Sequence, residues 1–587
     1  MQQVRINITD PLTAPQMFFL QKSLELLHRD TIDTYRLRIN NPRTLLRELS
    51  QVLVLIKQGS IKELYAAELI NEALVLFKEE EELNFISISK KYLLSLIGSN
   101  KWDKDKLYYV ANVLVNENTG YADELFQNIS REIARVEALP NFVYQEYDKL
   151  NRLIGYFYIE LKSMGYSKEY LHRFLRSIFS PRVAHQNFGQ PFDIVRTLIA
   201  REKEEFSVYA ALKLPMSLAP EDISSEDFEF ISYTDIDAIA DATNRQFKTF
   251  VRQNSEYSFF KITIQCTDYL SAGYVARGIL QTKLDLLFMG LSSDEITVNK
   301  KCFVVGTTFP QRGNNQYFNY QLDGRFISNI TTYNAFLEKL NDMNSRPVDN
   351  VSLSKLQAGL RYLRLGSYSD ELEGKLLNYW IAIEYLFSAN TGGDKVARLV
   401  EYYTKIHSLS YAVKIFQYIH KSVQSLELDT VLTHYNQNDL DYLINPLSII
   451  ELSSEVVRFP LFVYRLQTLN ARFQDHNRIK SELERHGNNL RRNLLRIYRV
   501  RNEIVHNAAK DTNIIEITSH IRYYLTFIIN GFLDFIINHP LDADQDGKLS
   551  IDDYFMISGI RLDSLINSNS ATISDLLDFQ NPLEYLS

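Results

Sequence analysis

Residues 496–508 read RIYRVRNEIVHNA, and their reading decides how the C-terminal half of this 587-residue chain is built. The run has no Gly or Pro, and its apolar and polar residues alternate with the period of an amphipathic helix. Leu494, Tyr498 and Val505 are read as the packed face. At about 100° per residue, Asn502 and His506 lie about 40° apart on one side, with Arg499 close to that side. Arg501 lies about 140° from His506 by the same geometry, so its side chain must curl around the helix or act in a site made with a second chain.

Working outward, residues 472–501 hold nine Lys/Arg against Asp475, Glu482 and Glu484, the strongest local positive field in the sequence. The net charge is −8, but residues 541–587 carry nine Asp/Glu against two Lys/Arg and account for −7 of it. The rest of the chain is nearly neutral. On either side of the basic stretch the helical period continues, over 335–341, 353–364, 370–387, 394–404, 411–425 and 514–537. This is enough for a bundle of four or more long helices. The stretch YYLTFIINGFLDFIIN at 523–538 is shorter than a membrane span and carries Asn530 and Asp534, so a buried helix is expected there rather than an anchor.

Toward the N-terminus the character changes twice. Residues 206–214 (FSVYAALKL), 257–266 (YSFFKITIQC) and 296–305 (ITVNKKCFVV) are rich in β-branched and aromatic residues and read as strands around an apolar-striped helix at 269–289. Before about 200, apolar residues return to helical spacing over 45–56, 64–77, 92–97, 107–115, 150–161 and 170–179, with breaks at Gly59-Ser60, Pro140-Asn141 and Ser180-Pro181. The expected fold is mainly α. It divides into an N-terminal helical domain over 1–204 that senses or binds a partner, a small α+β domain over 205–332, a helical bundle over 333–540 and an acidic tail over 541–587.

Composition agrees with that division. Hydrophobic residues make up 45% and charged residues 23%, ordinary globular values that exclude a disordered or collagen-like chain. Gly and Pro number 21 and 14, so turns are few and long helices are favoured. Two cysteines, Cys266 and Cys302, can build neither a disulfide framework nor a Cys-rich zinc site, which fits a reducing compartment. The opening MQQVRINITDPLTAPQ lacks the basic-then-apolar order of a secretory signal, and a cytoplasmic protein without membrane contact is expected.

An arginine and a histidine without carboxylate ligands suit the breaking of an RNA phosphodiester. That step needs a group of near-neutral pKa to move a proton at the 2′-hydroxyl or the leaving oxygen, and a fixed cation to hold the phosphorane charge. His506 fits the first role and Arg501 the second, and Asn502 can orient imidazole or phosphate. Arg491, Arg492, Arg496 and Arg499 are the candidates for steering the RNA backbone. No metal or other cofactor is needed for this chemistry. The sequence has no G-x-x-x-x-G-K-[ST], H-E-x-x-H or G-x-S-x-G, so ATPase, zinc hydrolase and α/β-hydrolase readings lack their residues. The remaining histidines and the many Tyr and Phe do not assemble into a recognisable motif.

RNEIVH at 501–506 resembles the R-[polar]-x-x-x-H signature of the HEPN superfamily, helical bundles that include many metal-independent ribonucleases. LLNYWIAIEYLFS at 376–388, GGDKVARLVEYY at 392–403 and LLRIYRVRNEIVHNA at 494–508 together resemble its Apea-like branch, in which a Trp-x-x-x-Glu helix, here Trp380 and Glu384, precedes the Arg-rich helix. The stretches at 161–179 and 206–214 are similar to the N-terminal extension of large proteins of this type. The resemblance implies a HEPN-type bundle, a homodimer with two Arg/His sets across a cleft, RNA as substrate and a toxin or antiphage-defence role under a protein trigger or antitoxin. Glu384 is expected either to pair with an arginine inside the bundle or to line the cleft, and Gly392-Gly393 to make a helix-helix turn. The rival expectation is a non-catalytic module that dimerises or scaffolds.

Residues 542–553, DADQDGKLSIDD, match the spacing of an EF-hand calcium loop. Asp542, Asp544 and Asp546 stand at positions 1, 3 and 5, Gly547 at the sharp turn, the Lys548 carbonyl at 7, Ser550 at 9 and Asp553 at 12. Asp in place of Glu at 12, and Pro540 before the loop, point to a weakly bound structural calcium or magnesium that pins the tail. A cation-responsive regulator is the third reading.

Overall fold

The computed structural model describes residues 6–30, 39–59, 61–99, 101–287, 296–308, 313–324, 330–388, 394–437, 440–507, 514–538, 545–568 and 571–577. Among them are twenty-two α-helices and six short strands, so the chain is mainly α, as the periodicity predicts. It divides into two compact units: residues 160–183 with 189–321, and the remainder.

The smaller unit is built on one antiparallel sheet. Its strands are β1 (Glu204–Lys213), β2 (Glu229–Ile231), β3 (Ser258–Cys266), β4 (Thr297–Val298), β5 (Lys301–Gly306) and β6 (Asn314–Tyr317), in the order β2-β3-β1-β5-β6 with β4 paired to β1. Both faces of β1 are covered, which is why FSVYAALKL reads as a nearly continuous apolar run. Phe206, Val208, Ala210 and Leu212 pack under Ala272, Ala276, Leu280 and Leu284 of the Tyr269–Leu287 helix. Tyr209 and Ala211 face the other way, onto Phe247, Phe250 and Val251 of the Arg245–Gln253 helix. The stretch at 296–305 is two strands rather than one, because the chain turns at Asn299, whose side chain accepts the Lys301 amide.

The larger unit is a helical assembly whose long members carry the candidate site. The Asn350–Tyr368 and Leu372–Leu386 helices pack side by side, and glycine is required at their crossing: a Cβ on Gly366 would stand 2.4 Å from the Tyr379 ring. The Ile514–Asn538 helix packs on Leu372–Leu386 and buries most of its apolar side chains, including Leu525, Ile528, Phe532 and Leu533. No helix of the described residues is long and apolar enough to cross a membrane.

One helix differs from its sequence reading. The periods at 394–404 and 411–425 belong to a single 31-residue helix, Lys395–Ser425. Ser408-Leu409-Ser410 does not interrupt it, because the Ser410 hydroxyl donates back to the His407 carbonyl at 2.9 Å and so needs no break in the ladder. This helix packs along the basic helix, His476–Asn507, where a Cβ on Gly487 would stand 3.1 Å from the Thr404 methyl.

Candidate functional site

The 32-residue helix His476–Asn507 carries the whole basic stretch from residue 476 onward. Its packed face is Leu490, Leu494, Ile497 and Val500, all essentially buried. Leu494 belongs to that face as read, and Tyr498 half-packs against Trp380 with ring centroids 5.5 Å apart. Val505 does not, since it is 48% exposed: the apolar stripe rotates away as the helix nears its end.

The arginines of this helix fall into two groups. Arg496 is buried, and its guanidinium donates to Glu48 and Glu72, each at 2.8 Å. Arg499 also donates to Glu48 and lies 3.6 Å from Glu503. Burial alone would raise the Glu48 carboxyl, but the two guanidinia overcome it and hold the pKa at about 2. Glu48 and Glu72 belong to the Pro42–Lys57 and Glu63–Glu79 helices, so these arginines fasten the basic helix to the N-terminal helices of the same unit.

The other group has no acidic partner. Arg501 makes no ion pair among the described residues; its Nη1 donates to the neutral Asn502 amide oxygen at 2.9 Å, and its buried Nε meets no acceptor. Asn502 is itself buried. Arg491 is exposed, and Arg492 donates only to Asn489, at 3.4 Å. His506 lies in the last turn of the helix, one turn beyond Asn502, and its side chain is outside the described residues. Glu384 accepts the Trp380 indole N–H at 2.7 Å, a partner different from either expectation, and so fixes the orientation of the ring that packs on Tyr498. Gly392-Gly393 lies outside the described residues.

The polar seam behind this surface is absent from the sequence reading. His407 Nδ1 and His486 Nε2 stand 3.1 Å apart in the bundle interior, and His407 Nε2 lies 3.3 Å from the Tyr523 hydroxyl, which also meets Lys414. Tyr411 stacks on His486 at 4.0 Å and donates to Glu482 at 2.6 Å. Farther along, Asn493 bonds the Tyr524 hydroxyl at 2.6 Å and His520 at 3.2 Å. Burial, then neighbouring Lys414, Arg485 and the facing imidazole, hold His407 and His486 well below the usual histidine pKa, so both are neutral at pH 7. The histidines and tyrosines therefore do assemble, and the signal was hidden because the paired positions are 79 residues apart.

In the tail, Asp542 and Asp544 lie outside the described residues. Gln545 and Gly547 take positive φ, at 61° and 80°, and Asp546 accepts the Lys548 amide at 2.7 Å. Ser550 and Asp553 form a reciprocal capping box on the Ile551–Asn567 helix. The loop is tied down by Leu549, which donates to Pro347 at 2.7 Å and accepts from Asp349 at 3.1 Å. Among the described residues no group of three or more His, Cys, Asp or Glu is placed to hold a metal ion.

Comparison with protein-family models, with curated proteins and with solved structures found no match to this chain.

Proposed function

We propose that this chain is a metal-independent RNA endonuclease of the HEPN type, working as a homodimer and serving as a toxin or antiphage-defence effector. The observation that carries the reading is Arg501. Arg496 and Arg499 of the same helix are matched to carboxylates, whereas among the described residues Arg501 meets only the neutral Asn502 amide. A half-buried guanidinium without a counter-charge suits an anionic substrate group. The last turn of a helix favours cationic groups, and His506 shares that turn.

In this reading His506 takes the proton of the RNA 2′-hydroxyl, and the 2′-oxygen attacks the adjacent phosphorus. The bond to the 5′-oxygen breaks as that oxygen takes up a proton from water, leaving a 2′,3′-cyclic phosphate and a 5′-hydroxyl. Arg501 holds the charge that builds on the phosphorane, with Asn502 fixing the guanidinium. Arg491 and Arg492 steer the backbone. The role assigned to Arg496 and Arg499 shifts from touching RNA to holding the helix in place.

The buried ion pairs favour a second reading, a non-catalytic module in which the basic helix is purely structural. Incubation of the purified full chain with single-stranded RNA in excess chelator separates the two. The nuclease reading expects cleavage that is abolished in His506→Ala and blocked by a 2′-deoxy residue at the cut. Intact RNA under every condition, or cleavage equal in wild type and His506→Ala, supports the structural reading instead.

A further inference from the structure

The smaller unit carries a cleft that the nuclease reading does not use. It has a volume of about 680 Å³ and is walled by Tyr170, Arg173 and Phe174 of the Lys168–Ile178 helix, by Tyr269, and by the start of the Arg245–Gln253 helix. That volume falls within the roughly 300–1,000 Å³ of small-ligand sites. We propose that this cleft binds a nucleoside phosphate.

The first argument is its π surface. Tyr166, Tyr170 and Phe174 stand four residues apart and form a column of stacked rings, with centroids 5.9 Å apart at both steps and interplanar angles of 13° and 26°. Tyr269 meets Tyr170 edge-on at 5.6 Å. Tyr170 is buried and held by Arg201, which donates to its hydroxyl at 2.6 Å, so the column is fixed rather than collapsible. Phe174 and Tyr269 remain half-exposed in the cleft. A rigid aromatic wall of this kind takes a planar heteroaromatic ring by stacking.

The second argument is charge. Among the described residues the cleft is lined by Arg173 and Arg245 and by no Asp or Glu. Arg173 lies across the mouth, half-exposed, donating to the Tyr269 hydroxyl at 3.2 Å while pairing with Glu169. Arg245 is exposed and has no ion-pair partner among the described residues. The exposed Gln246 amide on the same wall can donate to and accept from the edge of a base, beside Asn244, whose oxygen accepts the Phe247 amide at 2.9 Å and whose nitrogen donates to the Gly313 carbonyl at 3.2 Å. A second cleft, in the larger unit, differs: its own lining holds Glu81, Glu132 and Glu146, which pair with Arg135 and Lys149, and its described lining has no aromatic ring.

Stacking wall, guanidinia and amide together match a nucleobase joined to a phosphate, either as a free nucleotide or as the terminal residue of an RNA. Isothermal titration of the full chain with AMP, GMP, CMP and UMP tests this, with inorganic phosphate and a 5′-phosphorylated trinucleotide as further arms. At least one mononucleotide is expected to bind with Kd below about 1 mM. Arg245→Ala and Phe174→Leu are each expected to weaken it about tenfold, through loss of a charge-assisted bond and of stacking respectively. A trinucleotide binding more tightly than every mononucleotide, with the same sensitivity to both cleft variants, assigns the cleft to an RNA end; the reverse order assigns it to a free nucleotide. No binding of any nucleotide at about 1 mM, or binding untouched by both variants while circular dichroism shows them folded, overturns the proposal.

Discussion

Arg496 and Arg501 stand five residues apart on one helix and are used in opposite ways. Arg496 is buried against Glu48 and Glu72, whereas among the described residues Arg501 has only the Asn502 amide. The first arrangement makes the charge structural: desolvation is compensated by two carboxylates, and nothing is left over for a ligand. The second leaves a cation with binding capacity unspent. A basic stretch in a sequence is therefore not one feature, because Arg496 and Arg499 hold the fold while Arg491, Arg492 and Arg501 meet no carboxylate among the described residues.

Removing the shared carboxylate breaks this contrast most sharply. Glu48→Ala removes the carboxylate that two guanidinia share, leaving Arg496 with Glu72 and Arg499 with Glu503, and is expected to cost about 3 kcal/mol. Arg501→Ala, which leaves no carboxylate unpaired, is expected to cost less than about 1 kcal/mol. Urea denaturation of both variants checks the difference, and equal losses would erase the distinction between the two ends of the helix.

The histidine pair behind the helix sharpens the same contrast by pH. His407 and His486 have folded-state pKa values well below the unfolded value of about 6.5, so the unfolded chain binds more protons as pH falls through 6.5. Their contribution is fully present above about pH 6.5 and is lost on acidification, by up to about 1.4 kcal/mol per pH unit for each group. Asp534, raised to about 6 by burial that outweighs the lowering effect of Lys339, works the other way, gaining stability as pH falls through 6. The His486→Phe variant, which keeps the stacking on Tyr411, is therefore expected to lose less stability between pH 6.5 and 5 than wild type. A slope identical to wild type in that window would remove the pair as an acid-sensitive element.

Smaller effects test the arginines without an acidic partner. Arg491→Ala should weaken RNA binding uniformly across sequences and reduce the slope of log K against log salt by about 0.7, the value for one contact to single-stranded phosphate. A sequence-dependent loss with unchanged slope would assign Arg491 to base recognition. In the tail, an ion at the 542–553 loop held at ten times its Kd would add about 1.4 kcal/mol of stability. An unchanged melting temperature across calcium, magnesium and chelator would dismiss a bound cation there.

The helices and the three main strands were legible because each carries its period locally. The basic helix, the Trp380 helix and the doubly buried strand of 206–214 can all be read from a window of a dozen residues. What escaped were features made by distant residues or by too few of them. Strands β2 and β6 are three and four residues long, below the length at which alternation registers. The His407–His486 contact joins positions 79 apart, and Arg496 meets Glu48 across 448 residues, so no spacing rule could pair them. The helical periods at 394–404 and 411–425 read as separate, and the serines between them are instead accommodated in one helix, Ser410 donating to the His407 carbonyl. The Arg501–Asn502–His506 order was legible as an order, but the absence of a carboxylate beside Arg501 is a property of the packed molecule alone.

The central claim is that the uncompensated end of this helix cuts RNA. Its most direct test is the 3′-end chemistry of total RNA from cells induced for the wild-type chain, Arg501→Ala or His506→Ala at matched expression. The account predicts fragments ending in 2′,3′-cyclic phosphate with wild type and none with either variant. Fragments of the same number and ends in all three strains, or intact RNA with wild type, would contradict it.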